Sequence, residues 1–180
     1  FLLMDSASVH VSFLDNKGVE RQTNYIIPSR KDCMACHRQG NQLLPIGPKI
    51  RNLNRTIVHD GDSIQQLVRL TQMEAIDLKS FKVSNSLPGY EDIGQSTANR
   101  ARAYLEINCA HCHNPKGTAY MTMLDLRYES QLNETGIWLK QAKIIGRMST
   151  LGEMHMPQKG TTVLHDEGIL LIKTYLKTLQ

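Results

Sequence analysis

The sequence predicts a mainly α protein with an N-terminal β-hairpin followed by two small domains. Apolar residues recur every three or four positions in several segments, which is typical of helices with one buried face. Residues 8–28 instead alternate between apolar and polar side chains, as half-buried strands do. The pattern C-x-x-C-H occurs once in each half of the chain. We therefore expect the hairpin within residues 1–30, a first domain over 31–90 and a second over 91–180.

The N-terminal hairpin is predicted from two strand-like runs and the turn between them. The alternating apolar residues of the first run are Val9, Val11 and Phe13. Residues 15–18 form the turn, in which Gly18 can adopt the left-handed conformation at little cost. Residues 19–27 return as the second strand. Because two strands alone are marginally stable, we expect the hairpin to pack on the first domain or on preceding chain.

Four helices are predicted from the spacing of apolar residues and from Ser or Asp residues that suit the first turn. They cover residues 63–73, 96–109, 135–148 and 165–179. Residues 79–94 are rich in Ser, Asn, Pro and Gly, and Pro88-Gly89 is a strong break. We place the boundary between the two domains in this segment.

The two C-x-x-C-H motifs carry the chemistry of the chain. Their residues are Cys33, Cys36 and His37 in the first copy, and Cys109, Cys112 and His113 in the second. Two thiols at this spacing can form thioethers with the two vinyl groups of one haem, and the adjoining histidine becomes an iron ligand. A zinc site, a disulfide or a redox dithiol also uses C-x-x-C, but the repeated histidine favours two covalently bound c-type haems. His111 lies between the cysteines of its motif and is expected to be a spectator.

The composition agrees with such a cofactor and argues against two other classes of protein. The chain has 180 residues and is 41% hydrophobic, but it contains only three Phe and one Trp. Halves of about 90 residues with so few aromatics would struggle to bury a core unaided, and two haems would supply large apolar surfaces. The net charge of +4 is too small and too scattered to indicate nucleic-acid binding. No run of residues has the length and apolar character of a transmembrane helix.

The start of the chain and the proposed cofactor both bear on export. Residues 1–4 are too short a run for a signal peptide, and position 1 is Phe rather than Met. We expect a trimmed product or a fragment of a longer protein. Thioether attachment of haem implies a periplasmic or otherwise exported location.

A methionine–proline pair after the second motif is the candidate for the distal side of its iron. Met156 and Pro157 lie in a loop between two predicted helices. A thioether sulfur is a soft, weak sixth ligand that holds iron in six coordination and raises its potential. Met154 could substitute for Met156, whereas Met148 is expected on the buried face of a helix, as a core residue.

The order helix, C-x-x-C-H, loop, helix, Met-Pro loop, helix resembles class I cytochrome c over residues 96–180. The resemblance implies Met156 as the distal ligand of the second iron. The expected fold is therefore mainly α, with two small class I cytochrome c-like haem domains and the N-terminal hairpin. Trp138 resembles a tryptophan that reaches a haem propionate in some members, although a core aromatic residue fits equally well.

The whole chain also resembles a largely uncharacterised family of bacterial dihaem c-type cytochromes. The matching segments are residues 25–30, 51–55, 100–106 and 124–127, which flank the two motifs. The family implies exported electron-transfer domains that are sometimes fused to other modules.

The sixth ligand of the first haem is left open, because no Met-Pro pair follows the first motif before the linker. Met73, at the end of a predicted helix, is the best-placed candidate. The alternatives are His59, His10, Met4 or an open position. Residues 44–50 form a proline-rich loop after the motif, and the carbonyl of Pro48 is the candidate acceptor for the ring N–H of His37.

Three functions are compatible with these features. An electron carrier between a donor and an acceptor redox protein is favoured by two covalent haems and one closed iron. A dihaem enzyme of the peroxidase type would need an open first haem and an acid/base pair beside it, and the sequence supplies no clear pair. The third function is an electron-transfer domain that is fused to, or docks on, a larger redox enzyme. We expect a carrier rather than an enzyme.

Overall fold

The computed structural model describes residues 4–15, 17–39, 42–43, 48–80 and 85–180, which form an α+β protein. These residues make six α-helices and three antiparallel sheets of two strands each. The strands are β1 (Ala7–Leu14), β2 (Glu20–Ile27), β3 (Arg38–Gln39), β4 (Gln42–Leu43), β5 (Thr56–His59) and β6 (Asp62–Gln65). The helices are α1 (Arg30–Cys36), α2 (Ile50–Leu53), α3 (Gln66–Gln72), α4 (Thr97–Asn108), α5 (Ile137–Met148) and α6 (Asp166–Lys177). Short 3-10 helices cover Leu78–Ser80, Tyr120–Thr122 and Leu132–Glu134.

The predicted fold class, mainly α with two small class I cytochrome c-like haem domains, is wrong. Over residues 38–65 the chain forms two further strand pairs. In the longer pair, Asp60 and Gly61 connect β5 to β6 with φ angles of 54° and 87°. A two-residue Asp-Gly connection favours a hairpin because its left-handed backbone matches the twist of the strands. The predicted helix over residues 63–73 therefore begins only at Gln66.

The chain divides into two compact units. One unit joins Phe1–Pro45 to Tyr90–Gln180, and the other is Ile46–Gly89. Both C-x-x-C-H motifs therefore lie in the first unit. The second unit contains α2, β5, β6 and α3, and it buries Leu67 and Leu87.

The N-terminal hairpin is confirmed in the first unit, where β1 pairs with β2 along its whole length. Gly18 has a φ angle of 73°, as the turn requires. The Asp15 carboxylate closes the turn by accepting hydrogen bonds from the amides of Lys17 and Val19, each at 2.9 Å. The Lys17 ammonium also lies 3.3 Å from the Glu167 carboxylate, so the turn contacts the start of α6.

The core of the first unit is formed largely by α4, α5 and α6. Ser96 caps α4 by accepting a hydrogen bond from the amide of Asn99 at 3.1 Å. Asp166 and Glu167 stand in the first turn of α6, where negative charge is favoured by the helix dipole. The buried side chains that pack together are Ala101, Leu105, Ala110, Leu126, Ile137, Ile144, Leu171, Ile172, Tyr175 and Leu176. The three helices predicted for the second half of the chain are confirmed.

These three helices have 12 residues each. Within the described ranges, the chain contains no helix with the length and apolar character needed to cross a membrane.

Candidate cofactor site

A cavity of about 610 Å³ lies in the first unit beside the second C-x-x-C-H motif. Cys109, Cys112 and His113 line this cavity, and so does Met156. Cys36 of the first motif lines it as well. The volume falls within the range of roughly 300–1,000 Å³ that is usual for small-molecule and cofactor sites. The structure thus brings together most of the residues that the sequence predicts for the second haem.

The end of α4 presents the second motif to the cavity. The amide of Cys109 donates to the Leu105 carbonyl at 2.9 Å, and the amide of His113 donates to the Cys109 carbonyl at 2.9 Å. Leu105 is fully buried, so the end of the helix is anchored in the core. Gly117 passes so close to Cys112 that a Cβ atom at this position would overlap the Cys112 carbonyl. The turn after the motif therefore requires glycine here.

The ring of His113 is oriented by Thr122, a residue that no sequence motif marks. The Thr122 hydroxyl donates its one hydrogen to the Ala119 carbonyl at 2.6 Å. It can therefore only accept from Nδ1 of His113, which lies 3.0 Å away. With the ring hydrogen on Nδ1, Nε2 keeps the lone pair that a metal ligand needs. Burial lowers the pKa of His113, and the nearby His111 and Arg147 lower it further, so the neutral ring is favoured.

The thiols at the cavity differ in acidity. Burial raises the pKa of Cys109 to about 12. The pKa of Cys112 is lowered, chiefly by a hydrogen bond from His111 and also by one from Thr118. Burial raises the pKa of Cys36, and the neighbouring Cys112 adds to the effect. Cys112 therefore loses its proton more readily than Cys109 or Cys36. His111, which was expected to be a spectator, therefore interacts with the Cys112 thiol.

Met156 reaches the cavity from the loop between α5 and α6. Its amide donates to the Arg147 carbonyl at 3.1 Å, which ties the loop to the last turn of α5. The neighbouring His155 is buried, and its Nδ1 donates to the Thr150 carbonyl at 2.9 Å. Met154 is 58% exposed and is not among the lining residues. The loop therefore places Met156, rather than Met154, at the wall of the cavity.

Four cationic side chains line the same cavity, and no sequence motif marks them. They are Lys140, Lys143 and Arg147 of α5, and Lys159 of the following loop. Lys143 and Arg147 are four residues apart and share one face of α5, whereas Lys140 stands at a kink in the helix. A haem carries two propionate carboxylates, whose charge these cations would offset. The thiols, the oriented imidazole, the thioether and the cations together fit a haem attached at Cys109 and Cys112.

The first motif stands at the end of α1, a helix of seven residues. Ser29 and Asp32 form a capping box at its start, and Asp32 also lies 2.8 Å from the Lys159 ammonium. Lys159, together with hydrogen bonds from Ser29, lowers the pKa of Asp32 to about 2. The amide of His37 donates to the Cys33 carbonyl at 2.9 Å. The helix is well capped, but none of its seven described residues is buried.

Three residues predicted for the first haem lie in the second unit. They are Pro48, His59 and Met73. Met73 directly follows α3 and is 62% exposed, and His59 lies 3.3 Å from Asp60. Pro48 is exposed, and residues 44–47 of the predicted proline-rich loop lie outside the described residues. The sixth ligand of the first haem stays a prediction.

The remaining candidates in the first unit lie away from the cavity wall. Met4 is 80% exposed. His10 stands on β1, where its Nδ1 lies 3.0 Å from the side-chain oxygen of Asn24. Trp138 is 63% exposed and lines a separate cavity with Leu139. A contact between Trp138 and a haem propionate stays a prediction.

Among the residues that the structure describes, no group of three or more His, Cys, Asp and Glu side chains is arranged to hold a metal ion. A haem iron takes four ligands from the porphyrin and needs one or two from the protein. His113 and Met156 are a pair of the kind that such an iron uses.

No family model matches the chain, and neither the curated proteins nor the solved structures contain a match to it. The two family resemblances therefore rest on the sequence segments that carry them. The motifs and the geometry of the cavity are the features that support a haem cofactor.

Proposed function

We propose that this protein is a dihaem c-type cytochrome that transfers electrons between redox proteins. The observation that carries the proposal is the orientation of His113. Thr122 accepts a hydrogen bond from Nδ1 and leaves Nε2 of His113 available to a metal. Met156 and both cysteines of the motif line the same cavity as His113. A zinc site or a dithiol would not need a thioether and four cations around the same cavity.

Each group around the cavity would have a defined role in holding the haem. Cys109 and Cys112 would hold the porphyrin through thioethers, and His113 and Met156 would bind the iron. The bound haem supplies a one-electron couple between ferric and ferrous iron. With His113 and Met156 holding the iron, the chain would keep small molecules away from the metal. A closed centre of this kind favours electron transfer over substrate turnover.

The first motif extends the proposal to a second haem. Cys33 and Cys36 would form the thioethers, and His37 would be the proximal ligand. Since thioether attachment takes place on exported chains, we also propose a periplasmic or otherwise exported location. The partners would be a redox protein that donates electrons and another that accepts them.

One observation favours a second candidate function. Met73, the favoured distal ligand of the first iron, is 62% exposed, whereas a ligand that closes an iron is usually shielded from water. An open first haem would permit peroxide chemistry, as in a dihaem peroxidase. The two functions therefore differ in the coordination of the first iron alone.

The number of attached haems is the first test. The chain is produced with a haem-attachment system, denatured, and weighed by mass spectrometry. We expect the mass of two haems per chain. C109A/C112A should carry one haem, as should C33A/C36A, and a chain without covalent haem would contradict the proposal.

Carbon monoxide then separates the two functions. The reduced protein is treated with the gas, and its absorption spectrum is compared with that of the untreated sample. An unshifted spectrum is expected for two closed irons. Binding at the first haem alone would favour the peroxidase-type enzyme, and complete binding at both would contradict the carrier.

A further inference from the structure

The loop that carries Met156 is anchored by the residue directly before it, His155. Of residues 149–160, all of which the structure describes, His155 alone is buried, at 6% exposure. The nearby Leu151 and Met154 are 51% and 58% exposed. Loops with few buried contacts open easily, so the position of this loop depends strongly on its one buried side chain.

Two hydrogen bonds from His155 close the chain before it into a turn. Its amide donates to the Gly152 carbonyl at 3.0 Å, and its Nδ1 donates to the Thr150 carbonyl at 2.9 Å. Because a carbonyl oxygen only accepts, the ring hydrogen stands on Nδ1. Gly152 has a φ angle of 97°, which residues with a side chain rarely adopt. Residues 150–155 thus form one closed turn that ends where Met156 begins.

The presence of a histidine at this buried position is informative. A buried polar ring costs free energy unless it is hydrogen-bonded, whereas an apolar side chain would fill the space without that cost. What the imidazole adds is a directional bond from Nδ1 to the Thr150 carbonyl. Since both groups belong to the same loop, this bond fixes the shape of the loop.

The closed turn leads directly into the candidate ligand. The Met156 amide donates to the Arg147 carbonyl at 3.1 Å, so the backbone at Met156 is tied to the last turn of α5 as well. A thioether is a weak ligand for iron, so its bond offsets little of the conformational entropy that ordering a loop costs. A loop that is already ordered presents the sulfur without that cost.

We propose that His155 is the positioning residue of the second haem, because its Nδ1 bond to Thr150 holds Met156 where it can bind the iron. This role rests on the proposed function, since it needs a haem attached at Cys109 and Cys112. His155 is not among the residues that line the cavity, so it acts through Met156 and not as a ligand itself.

Nuclear magnetic resonance of the reduced protein tests this role. The ring current of a ferrous haem shifts the methyl protons of a bound methionine far upfield, and Met156→Leu identifies the signal that belongs to Met156. His155→Leu fills the space without a donor, so it should lose this signal and bind carbon monoxide at the second haem. His155→Asn should keep the signal, because its amide nitrogen lies close to the position of Nδ1. His155→Gln places its nitrogen one bond further out and should lose the signal.

Met154→Leu is the matched control, since Met154 also adjoins His155 but is exposed. It should retain the wild-type Met156 signal, and loss of the signal in this control would contradict the assignment to His155. Equal signals in His155→Leu, His155→Asn and His155→Gln would overturn the role of the Nδ1 bond. If His155→Leu does not fold, equal signals in the other two variants would still overturn it.

Hydrogen exchange at the Met156 amide gives a measurement on the chain itself. Loss of the Nδ1 bond loosens the turn, so this amide should exchange roughly fivefold faster in His155→Leu and His155→Gln than in the wild type. His155→Asn should exchange at the wild-type rate. Unchanged exchange in all three variants would count against a positioning role.

The haem count distinguishes this role from the proposed function. A denatured chain without covalent haem would overturn both. Covalent haem together with a Met156 signal that His155→Leu leaves intact would rule out the role of His155 and leave the carrier function standing.

Discussion

The two C-x-x-C-H regions share a motif but differ in the helix that carries it, in the burial of that helix and in the support of the histidine. The second motif follows α4, a helix of 12 residues with four buried side chains. The first ends α1, a helix of seven residues of which none is buried. His113 is oriented by Thr122, which is itself hydrogen-bonded to the backbone. The motif specifies what can be attached, and the surrounding packing specifies how firmly the attached group is held.

The two regions also depend on different interactions. The end of α4 is held by buried apolar side chains such as Leu105 and Leu126, whose removal from water is strongly favourable. The start of α1 is held by the Ser29–Asp32 capping box and by the contact with Lys159. Exposed ion pairs and caps contribute about 1 kcal/mol or less each. Substitutions in the second region should therefore have the larger effects.

Loss of the second attachment should have the largest effect. C109A/C112A would remove the covalent hold on the proposed haem, a large apolar group for a cavity that borders the core, and losses of that kind cost about 3–5 kcal/mol. C33A/C36A affects a helix without buried residues and should cost less. Thermal unfolding followed by far-ultraviolet circular dichroism compares the two variants. Equal decreases in melting temperature would contradict the difference between the regions.

Gly117→Ala tests how tightly the turn after the second motif is packed. The added Cβ would overlap the Cys112 carbonyl, so we expect a loss of about 1–3 kcal/mol and less attached haem. Gly146→Ala is the matched control, since its Cβ meets nothing within 4 Å and lies inside α5. This control should be stabilised by about 0.5–1 kcal/mol. Urea unfolding measures both changes, and two losses of similar size would contradict the close approach at Gly117.

Thr122→Val tests the orientation of the His113 ring. Valine cannot accept a hydrogen bond from Nδ1 of His113, so the imidazole becomes a weaker electron donor to iron. The reduction potential of the second haem should therefore rise. The lost hydrogen bond should also cost about 0.5–1.5 kcal/mol of stability. Thr122→Ser keeps the hydroxyl and should restore the potential. A potential that is the same in all three proteins would contradict the role of Thr122.

The pH dependence of stability compares a carboxylate from each region. Arg127 lowers the pKa of Asp125 to about 2, and Lys159 lowers that of Asp32 to about 2, from an ordinary value of 3.8. Because the folded-state pKa is depressed, the stabilisation is present above about pH 4 and is lost as the pH falls through 2. Asp125→Asn and Asp32→Asn should each reduce the slope of stability against pH between these values. Urea unfolding at a series of pH values measures the slopes, and wild-type slopes in both variants would contradict these assignments.

Lys159→Gln tests the contact that holds α1 and should have the smallest effect on stability. Its ion pair is partly exposed, so we expect only a slight loss of stability. The pKa of Asp32 should rise toward its ordinary value of 3.8, because the Lys159 ammonium no longer stabilises the carboxylate. Lys17→Gln removes the same charge and an ion pair with Glu167, away from both motifs. NMR titration follows Asp32, and equal pKa values of Asp32 in the two variants would contradict the role of its contact with Lys159.

Parts of the fold follow from local patterns, and others do not. The N-terminal hairpin and the helices α4 to α6 follow from apolar spacing, caps and a glycine turn. The β5–β6 hairpin had a usable signal in Asp60-Gly61, which was outweighed by helical spacing after it. The strands β3 and β4 have two residues each, and so short a ladder leaves no periodicity to detect.

The candidate site likewise contains some residues that local sequence patterns identify and others that they do not. The cysteines, His113 and Met156 are identified by motifs, since attachment and ligation need particular residue types at particular spacings. Thr122, His111 and the cations of α5 carry no such pattern. The roles of these residues depend on which loops and helix faces border the cavity. The packing of the whole first unit decides which ones do.

By itself the sequence determined which residues could bind the two proposed haems, because thioether formation and proximal ligation depend on neighbours within five positions of the chain. Only the tertiary structure decided that Thr122 orients His113 and that Cys36 lines the same cavity as Cys112. These contacts join segments that are brought together by folding of the whole first unit. Contacts of this kind leave no local pattern, because each segment would have the same residues whether or not the other lay beside it.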